Sequence, residues 1–406
     1  MGEHGTGDEE PGDRPPDSVS AGAGGVPQRG SVREIALLFL KLGVIAFGGP
    51  AAHTAMMRDE LVRRRGWVSD ERFVDLMGAT NLIPGPNSTE LAIHLGFDRG
   101  RWRGLVAAGV CFIVPAALIV TELAWAYMTY GDAPAVEGIL YGIVPAVIAI
   151  IAHALVGLLR TVMKSIWIGG LAVAGLVAYL LGVNELMVLA AGAVLAAAAH
   201  LARNRPGRGQ LHGLYVVSFA LPAGQPVFGD PSGGQLVQLF ATMLKIGAVL
   251  YGSGYVLLAF LRGDFVDRLG WISEQQLIDA VSIGQVTPGP VFTTATFIGY
   301  LVAGPVGAFL ATVAIFVPSF VFVGLLTRLT DRLRASPWTS ALLDGVNATA
   351  LALMAGVSYQ LGRTAIVDLL TAAITVITLL LLWKTKLNNA WYIAAGAVIG
   401  VVHALA

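Results

Sequence analysis

Residues 41–93 recur, without a gap, 204 positions further along the chain. "KLGVIAFGGP" (Lys41–Pro50) returns as "KIGAVLYGSG" (Lys245–Gly254), and "RRGWVSDERFVDL" (Arg64–Leu76) as "RLGWISEQQLIDA" (Arg268–Ala280). "NLIPGPNST" (Asn81–Thr89) returns as "QVTPGPVFT" (Gln285–Thr293). About fifteen positions are identical where ordinary residue frequencies give roughly four. After a one-residue shift Pro115 matches Pro318, Gly142 matches Gly345, and Arg160-Thr161 match Arg363-Thr364. Whatever one half folds into, the other must fold into as well. Paired repeats broken at corresponding places are a signature of transporters.

The repeated material is apolar. Of 406 residues 55% are hydrophobic and 13% charged, against about 25% charged in soluble domains. Mean hydropathy is +0.71. These values indicate an all-α, multi-pass membrane protein. Fifty glycines suit helices that approach closely in lipid. Lys plus Arg equals Asp plus Glu, and no basic block exists for a nucleic-acid partner. The single Cys111 excludes an intrachain disulfide, and the histidines are too scattered for a metal site. Residues 1–33 are polar and rich in Gly and Pro, so they read as a disordered tail. Residues 206–233 read as a linker, with an apolar core too short to span. The membrane repeats are then 34–205 and 234–406.

Hydropathy places helices near 34–56, 102–127, 136–159, 166–182 and 185–201, then 236–261, 305–327, 338–360, 365–383 and 389–405. Each approaches the ~20 residues a span needs. Between the first two of each half lie shorter pieces, 71–83 with 87–97 and 274–286 with 290–302, meeting at Pro-Gly-Pro. Arg58, Arg63, Arg64, Arg65 and Arg72 precede the first pair, and Arg99, Arg101 and Arg103 follow it. Both flanks are therefore cytoplasmic by the positive-inside rule, which makes the pair a re-entrant hairpin. Flanks 262–274 and 303–305 lack a positive excess and read outside. The expected fold is two inverted repeats, each of about five spans plus one hairpin, with the acidic tail external.

Proline removes a backbone donor and ends a helix; in lipid the freed groups must be satisfied. A half-helix starting after each break aims unpaired N–H groups and a partial positive charge at the tip, an anion-binding feature. The candidate binding residues are Pro84, Gly85, Pro86, Asn87, Ser88 and Thr89 at one tip, and Pro288, Gly289, Pro290 and Thr293 at the other. The alternative is a pair of kinks that serve only packing. Gly48 and Gly49, with Gly252, Ser253 and Gly254, put small residues deep in the first helix of each half, for unwinding at a site or for tight crossing. Lys41 and Lys245 match, and either attract an anion or snorkel to an interface. Asp75 and Asp279 match and read first as structural ion pairs with Lys or Arg of the same half; with Glu90 they are the candidates for proton coupling. Glu90 and His94 share a helix face, and the second copy carries Thr294 and Ile298 there, so such a role is asymmetric. No nucleophile elbow, zinc-protease motif or P-loop is present, so no enzyme activity and no cofactor is expected.

"AFGGPAAHTAMM", "RGWVSDERFVDL", "NLIPGPNSTELAIHLGF" and "GQVTPGPVFTTATFIGYLVAG", in this order, resemble the chromate ion transporter family in its long, two-domain form. The resemblance implies an inner-membrane bacterial protein that exports chromate, with sulfate as a competing analogue. It carries the Gly48-Gly49-Pro50 and both Pro-Gly-Pro motifs; Gly252-Ser253-Gly254 departs from the first copy's Gly-Gly-Pro. Expected partners are a chromate- or sulfate-like anion, the bilayer and a second copy of the chain. An amino-acid exporter is the competing reading, since some such families also carry Pro-Gly-Pro.

Overall fold

The computed structural model describes residues 2, 30–47, 49–131, 133–163, 165–203, 231–251, 254–334, 337–385 and 387–405. Most of the expected tail and linker, with Gly48, Gly252 and Ser253, lie outside these. The described residues form fourteen α-helices and no strand. The first half holds α1 (Val32–Ile45), α2 (Gly49–Arg58), α3 (Asp70–Thr80), α4 (Asn87–Tyr130), α5 (Pro134–Val162), α6 (Ile166–Leu180) and α7 (Glu185–Arg203). The second holds α8 (Pro231–Val249), α9 (Leu257–Leu261), α10 (Glu274–Val286), α11 (Thr294–Arg334), α12 (Pro337–Ala365), α13 (Leu369–Lys384) and α14 (Asn389–Leu405).

The duplication extends to backbone detail. π-helical turns Asp59–Arg64 and Arg262–Arg268 follow α2 and α9. Gly66 (φ +58°) and Gly270 (φ +61°) then turn the chain. Ser69 and Ser273 cap α3 and α10 by accepting the Arg72 and Gln276 N–H groups, as hydroxyls before a helix do. The long helices α4 and α11 each bend at one point, Arg101 (φ 55°, ψ −144°) and Gly304 (φ 60°, ψ −151°). The bend separates a half-helix after the Pro-Gly-Pro from a full span. Gly96 against Gly104 in α4, and Gly299 against Gly307 in α11, leave no room for a Cβ where the two parts fold together.

One expectation fails. The stretch 34–56 is not a single helix but breaks after Ile45. Beyond the break the chain turns back: Glu34 near the start of α1 lies 3.7 Å from Arg65 beyond α2, and Lys41 lies 3.4 Å from Glu60. A straight helix of 23 residues would hold its ends roughly 35 Å apart. The second half repeats the fold-back through Lys245 and Asp264 at 2.6 Å. Gly30 N–H also donates to the Arg99 carbonyl at 3.2 Å. The start of α1 therefore sits at the arginine-rich end, not opposite it, and the expected external tail loses its basis.

Among the described residues five helices are long and apolar enough to cross a membrane, and α6, α13 and α14 are shorter apolar helices. The outer face of α4 exposes Val106, Val110, Val114 and Leu118, one every four residues, while Leu105, Ala108, Phe112 and Ala116 are buried. That pattern is a helix with its apolar outside against lipid. The halves share one core: Val120, Val147 and Ile151 pack in one cluster with Met243, Phe292, Phe316 and Leu353. The halves also exchange helices. α5 packs on α14 where Gly142 meets Gly396, and α12 packs on α7 where Gly345 meets Gly192. At all four glycines a Cβ would collide with the facing backbone or its neighbour, so close crossing requires them.

Candidate functional site

Each Pro-Gly-Pro tip docks on the broken first helix of the opposite half. The Gly85 N–H donates to the carbonyl of Leu250, the residue that follows α8, at 2.8 Å. The Gly289 N–H donates to the carbonyl of Ala46, which follows α1, at 2.9 Å. Both glycines have positive φ, +138° and +92°, which explains their residue type. Both are also wedged against the residue after a helix proline. A Cβ on Gly289 would come 2.7 Å from the Ala116 Cβ, and one on Gly85 would come 2.8 Å from the Ser319 Oγ. The four breaks in the chain thus meet at one place, and carbonyls freed by two of them are satisfied by N–H groups freed by the others.

Around the first tip the side chains are polar and buried. His53 of α2 contacts the Ala46 carbonyl through Nε2 at 3.1 Å and Ser88 Oγ through Nδ1 at 3.3 Å. A carbonyl only accepts, so Nε2 carries the proton and Ser88 donates to Nδ1. Asn87 spends one amide N–H on Asn81 at 2.9 Å, and Pro86 accepts the N–H groups of Thr89 and Glu90. The Thr89 hydroxyl and both carboxylate oxygens of Glu90 are buried with no hydrogen bond. The Ser319 hydroxyl faces Glu90, and both converge on the Gly85 Cα.

The second tip is differently equipped. Thr293 and Thr294 donate their hydroxyls to the carbonyls of Pro290 and Val291 at 2.8 and 2.9 Å, so neither is a free donor. Buried groups without a hydrogen bond near this tip are Ser282 Oγ and Gln285 Nε2, in the last two turns of α10. A buried polar group left unpaired costs about 1–3 kcal/mol. Several such groups around two loop tips mark a place suited to a polar ligand. Sequence reasoning missed His53, Ser282, Gln285 and Ser319. The signal was present, since each is a lone polar residue inside an apolar run or beside a helix break.

The remaining candidates lie elsewhere. Lys41 pairs with Glu60, which also receives Arg65 at 3.2 Å. Lys245 pairs with Asp264, which also receives Arg268 at 2.9 Å. Both lysines are therefore neutralised within the fold-back, and neither stands as a free cation. Asp279 is buried and accepts from Tyr127 Oη at 2.9 Å and Gln275 Nε2 at 3.0 Å; hydroxyl and amide partners, rather than Lys or Arg, hold it. Asp75 is exposed and lines an open cavity at the arginine-rich end with Arg72, His94, Asp98, Arg101 and Thr327. Gly49 (φ +80°) opens α2, and Gly254 opens the turn before α9. Among the described residues no group of His, Cys, Asp and Glu is arranged to hold a metal.

Comparison with known proteins agrees with this architecture. The profile of the Chromate transporter family matches twice, over residues 33–197 and 237–401. The chain is 33% identical over 396 residues to the Chromate transport protein of Cupriavidus metallidurans, covering 96% of this chain and 97% of that one. It is 32% identical to the Probable chromate transport protein of Synechococcus elongatus, over 92% and 95% of the two chains. For the Chromate transport protein of Pseudomonas aeruginosa the values are 30%, 95% and 96%. No solved structure matches. With both halves matched in turn and full-length relatives of the same build, the chain belongs to the chromate transporter family, as a two-repeat, multi-pass membrane protein.

Proposed function

We propose that the protein exports chromate from the bacterial cytoplasm across the inner membrane, through a site between the two Pro-Gly-Pro tips. The observation that carries the reading is the mutual docking of each tip on the other half's helix break. It gathers helix N-termini, small residues and unpaired buried polar groups at one place between the repeats, where broken-helix transporters bind their cargo. The second amide N–H of Asn87 and the hydroxyl of Thr89 supply side-chain donors at the first tip, while the Ser88 hydroxyl is taken by His53. Gly85 and Gly289 serve as hinge points whose N–H groups hold the tips in register.

In the topology we propose, the fold-back of the first helix replaces the expected five spans and one hairpin by four spans, α4–α7 and α11–α14, and two re-entrant hairpins in each half; the five span-length helices and the shorter α6, α13 and α14 support it. Arg72 bonds Asp98 across the ends of the α3–α4 hairpin at 2.8 Å, so both ends lie on one side. A Cβ on Gly263, in the second fold-back, would meet the Glu185 carboxylate at the start of α7. Counting spans puts Glu185 on the side away from the first hairpins, which gives the two halves opposite orientations. The arginine-rich end is then cytoplasmic.

Efflux needs no pump under this scheme. Each elementary charge crossing 100 mV is worth about 2.3 kcal/mol, so a departing dianion gains about 4.6 kcal/mol. Sulfate, alike in charge and shape, is the expected competitor. Uptake of chromate by inverted vesicles, competed in turn by sulfate and by amino acids, tests the reading. Competition by sulfate supports it; chromate flux blocked by amino acids and indifferent to sulfate would favour the metabolite-exporter alternative.

A further inference from the structure

Of the three carboxylates matched to a coupling role, Asp75, Asp279 and Glu90, only one is buried without a hydrogen bond. Asp279 is satisfied by Tyr127 and Gln275. Asp75 is exposed at the cavity mouth. Glu90 has no exposed surface, and neither of its oxygens has a hydrogen bond. It sits in the first turn of α4, against Gly85 of the tip itself. Every element around it can be named. α11 presents Ser319, the loop after α8 presents Tyr251, and α4 itself presents His94 four residues on, also buried with Nε2 unpaired. His53 stands behind Ser88. No Lys or Arg pairs with Glu90 among the described residues. His94 in turn lines the cavity at the arginine-rich end, beside Arg72, Asp75, Asp98 and Arg101.

A bare carboxylate beside a dianion in a dry site repels it strongly, because interaction energies scale inversely with the local dielectric. The two charges are not tolerated together, and one proton removes the conflict. We infer that Glu90 is the proton-binding group of the transport cycle, taking up a proton when chromate occupies the site, with His94 and the cytoplasmic cavity as the proton's way in. The role belongs to the first half alone, since the second places Thr294 and Ile298 at these positions. The strained Arg101, the only non-glycine residue with positive φ among those described, falls on this side too, where the second half uses Gly304. Anion and proton then travel outward together. The exported charge falls from two to one, which still leaves about 2.3 kcal/mol per 100 mV in favour of export.

This inference rests on the proposed site, and the experiment separates the two. Chromate is added to purified full-length protein in lightly buffered, weakly alkaline solution, where it is already the dianion. Binding is read by calorimetry and proton uptake by an indicator dye. Burial without a cation favours the protonated carboxyl even in the empty site, so binding is followed at increasing pH. Above the pH at which Glu90 ionises in the empty protein, the wild type is expected to take up about one proton per chromate bound, with affinity falling about tenfold per pH unit, and below it neither effect is expected. Glu90→Gln, which keeps shape and removes the titration, is expected to bind chromate with no proton uptake and little pH dependence. Binding by the wild type without proton uptake at any pH up to the alkaline limit of folding overturns the role of Glu90, as does undiminished uptake in Glu90→Gln. No chromate binding by the wild type overturns the site and the inference together.

Discussion

Gly289→Ala probes the interlocked tips at the point where the room is smallest. The backbone there holds φ at +92°, and forcing an L side chain into such a conformation costs about 1–3 kcal/mol. The added Cβ would lie 2.7 Å from the Ala116 Cβ, about 1 Å inside the usual carbon–carbon contact. Overpacking of this kind costs about 1–3 kcal/mol. Relief requires the tip to retreat from Ala46, whose carbonyl holds the Gly289 N–H at 2.9 Å, a bond worth about 0.5–1.5 kcal/mol. Together the losses come to roughly 3–7 kcal/mol. Ala116→Gly removes the collision and leaves the backbone term, so the two substitutions should couple by about 1–3 kcal/mol in a double-mutant cycle. Gly66→Ala is the control: its φ is +58° but its Cβ points into open space, so about 1–2 kcal/mol is expected. Thermal unfolding in detergent reads stability, and chromate flux in proteoliposomes reads function. Gly289→Ala as stable and as active as the wild type, or additive with Ala116→Gly, would refute the docking geometry.

Other perturbations follow from the same contacts. Lys245→Met leaves the nearly buried Asp264 to Arg268 alone and is expected to cost about 1.5–3 kcal/mol, whereas Lys41→Met, whose lysine is half exposed, should cost under about 1 kcal/mol by the same melt. Gly142→Val should separate α5 from α14 and lower the yield of folded protein by size-exclusion chromatography, while Gly157→Val, with nothing near its Cβ, should be silent. Single cysteines replacing Glu34, Arg65 and Arg101, in a Cys111→Ala background, should label from the same membrane face. Labelling of position 34 from the face opposite position 65 would sink the fold-back of α1 on α2.

Much of this architecture is legible in the sequence. The duplication fixed two equivalent units, the prolines at 84, 86, 288 and 290 fixed where helices break, and the arginines at 58–72 and 99–103 fixed which ends lie together. The fold-back of the first helix was not legible. A largely apolar run of 23 residues satisfies the length rule for a span whether or not it doubles back, and the pairing of Glu34 with Arg65 and of Lys41 with Glu60 shows that it does. The ion pairs of Lys41 and Lys245 were not legible for the same reason: their partners Glu60 and Asp264 lie 19 residues away, a spacing that means contact only once the chain has turned. The docking of Gly85 on Leu250 and of Gly289 on Ala46 is a backbone contact, which leaves no side-chain signature to read. The asymmetry of the site, by contrast, stood in plain view as Glu90 against Thr294, and needed the burial of Glu90 to acquire meaning.

The central claim is that chromate passes between the two tips, and ligand protection of cysteines tests it most directly. Ser88→Cys at the first tip, Thr293→Cys at the second and Val110→Cys on the lipid-facing side of α4 are each placed in the Cys111→Ala background. Their reaction with a small thiol reagent is followed in vesicles that transport chromate. Saturating chromate should slow labelling at both 88 and 293 and leave 110 unchanged. Equal rates at 88 and 293 with and without chromate, in vesicles that still transport it, would contradict the account.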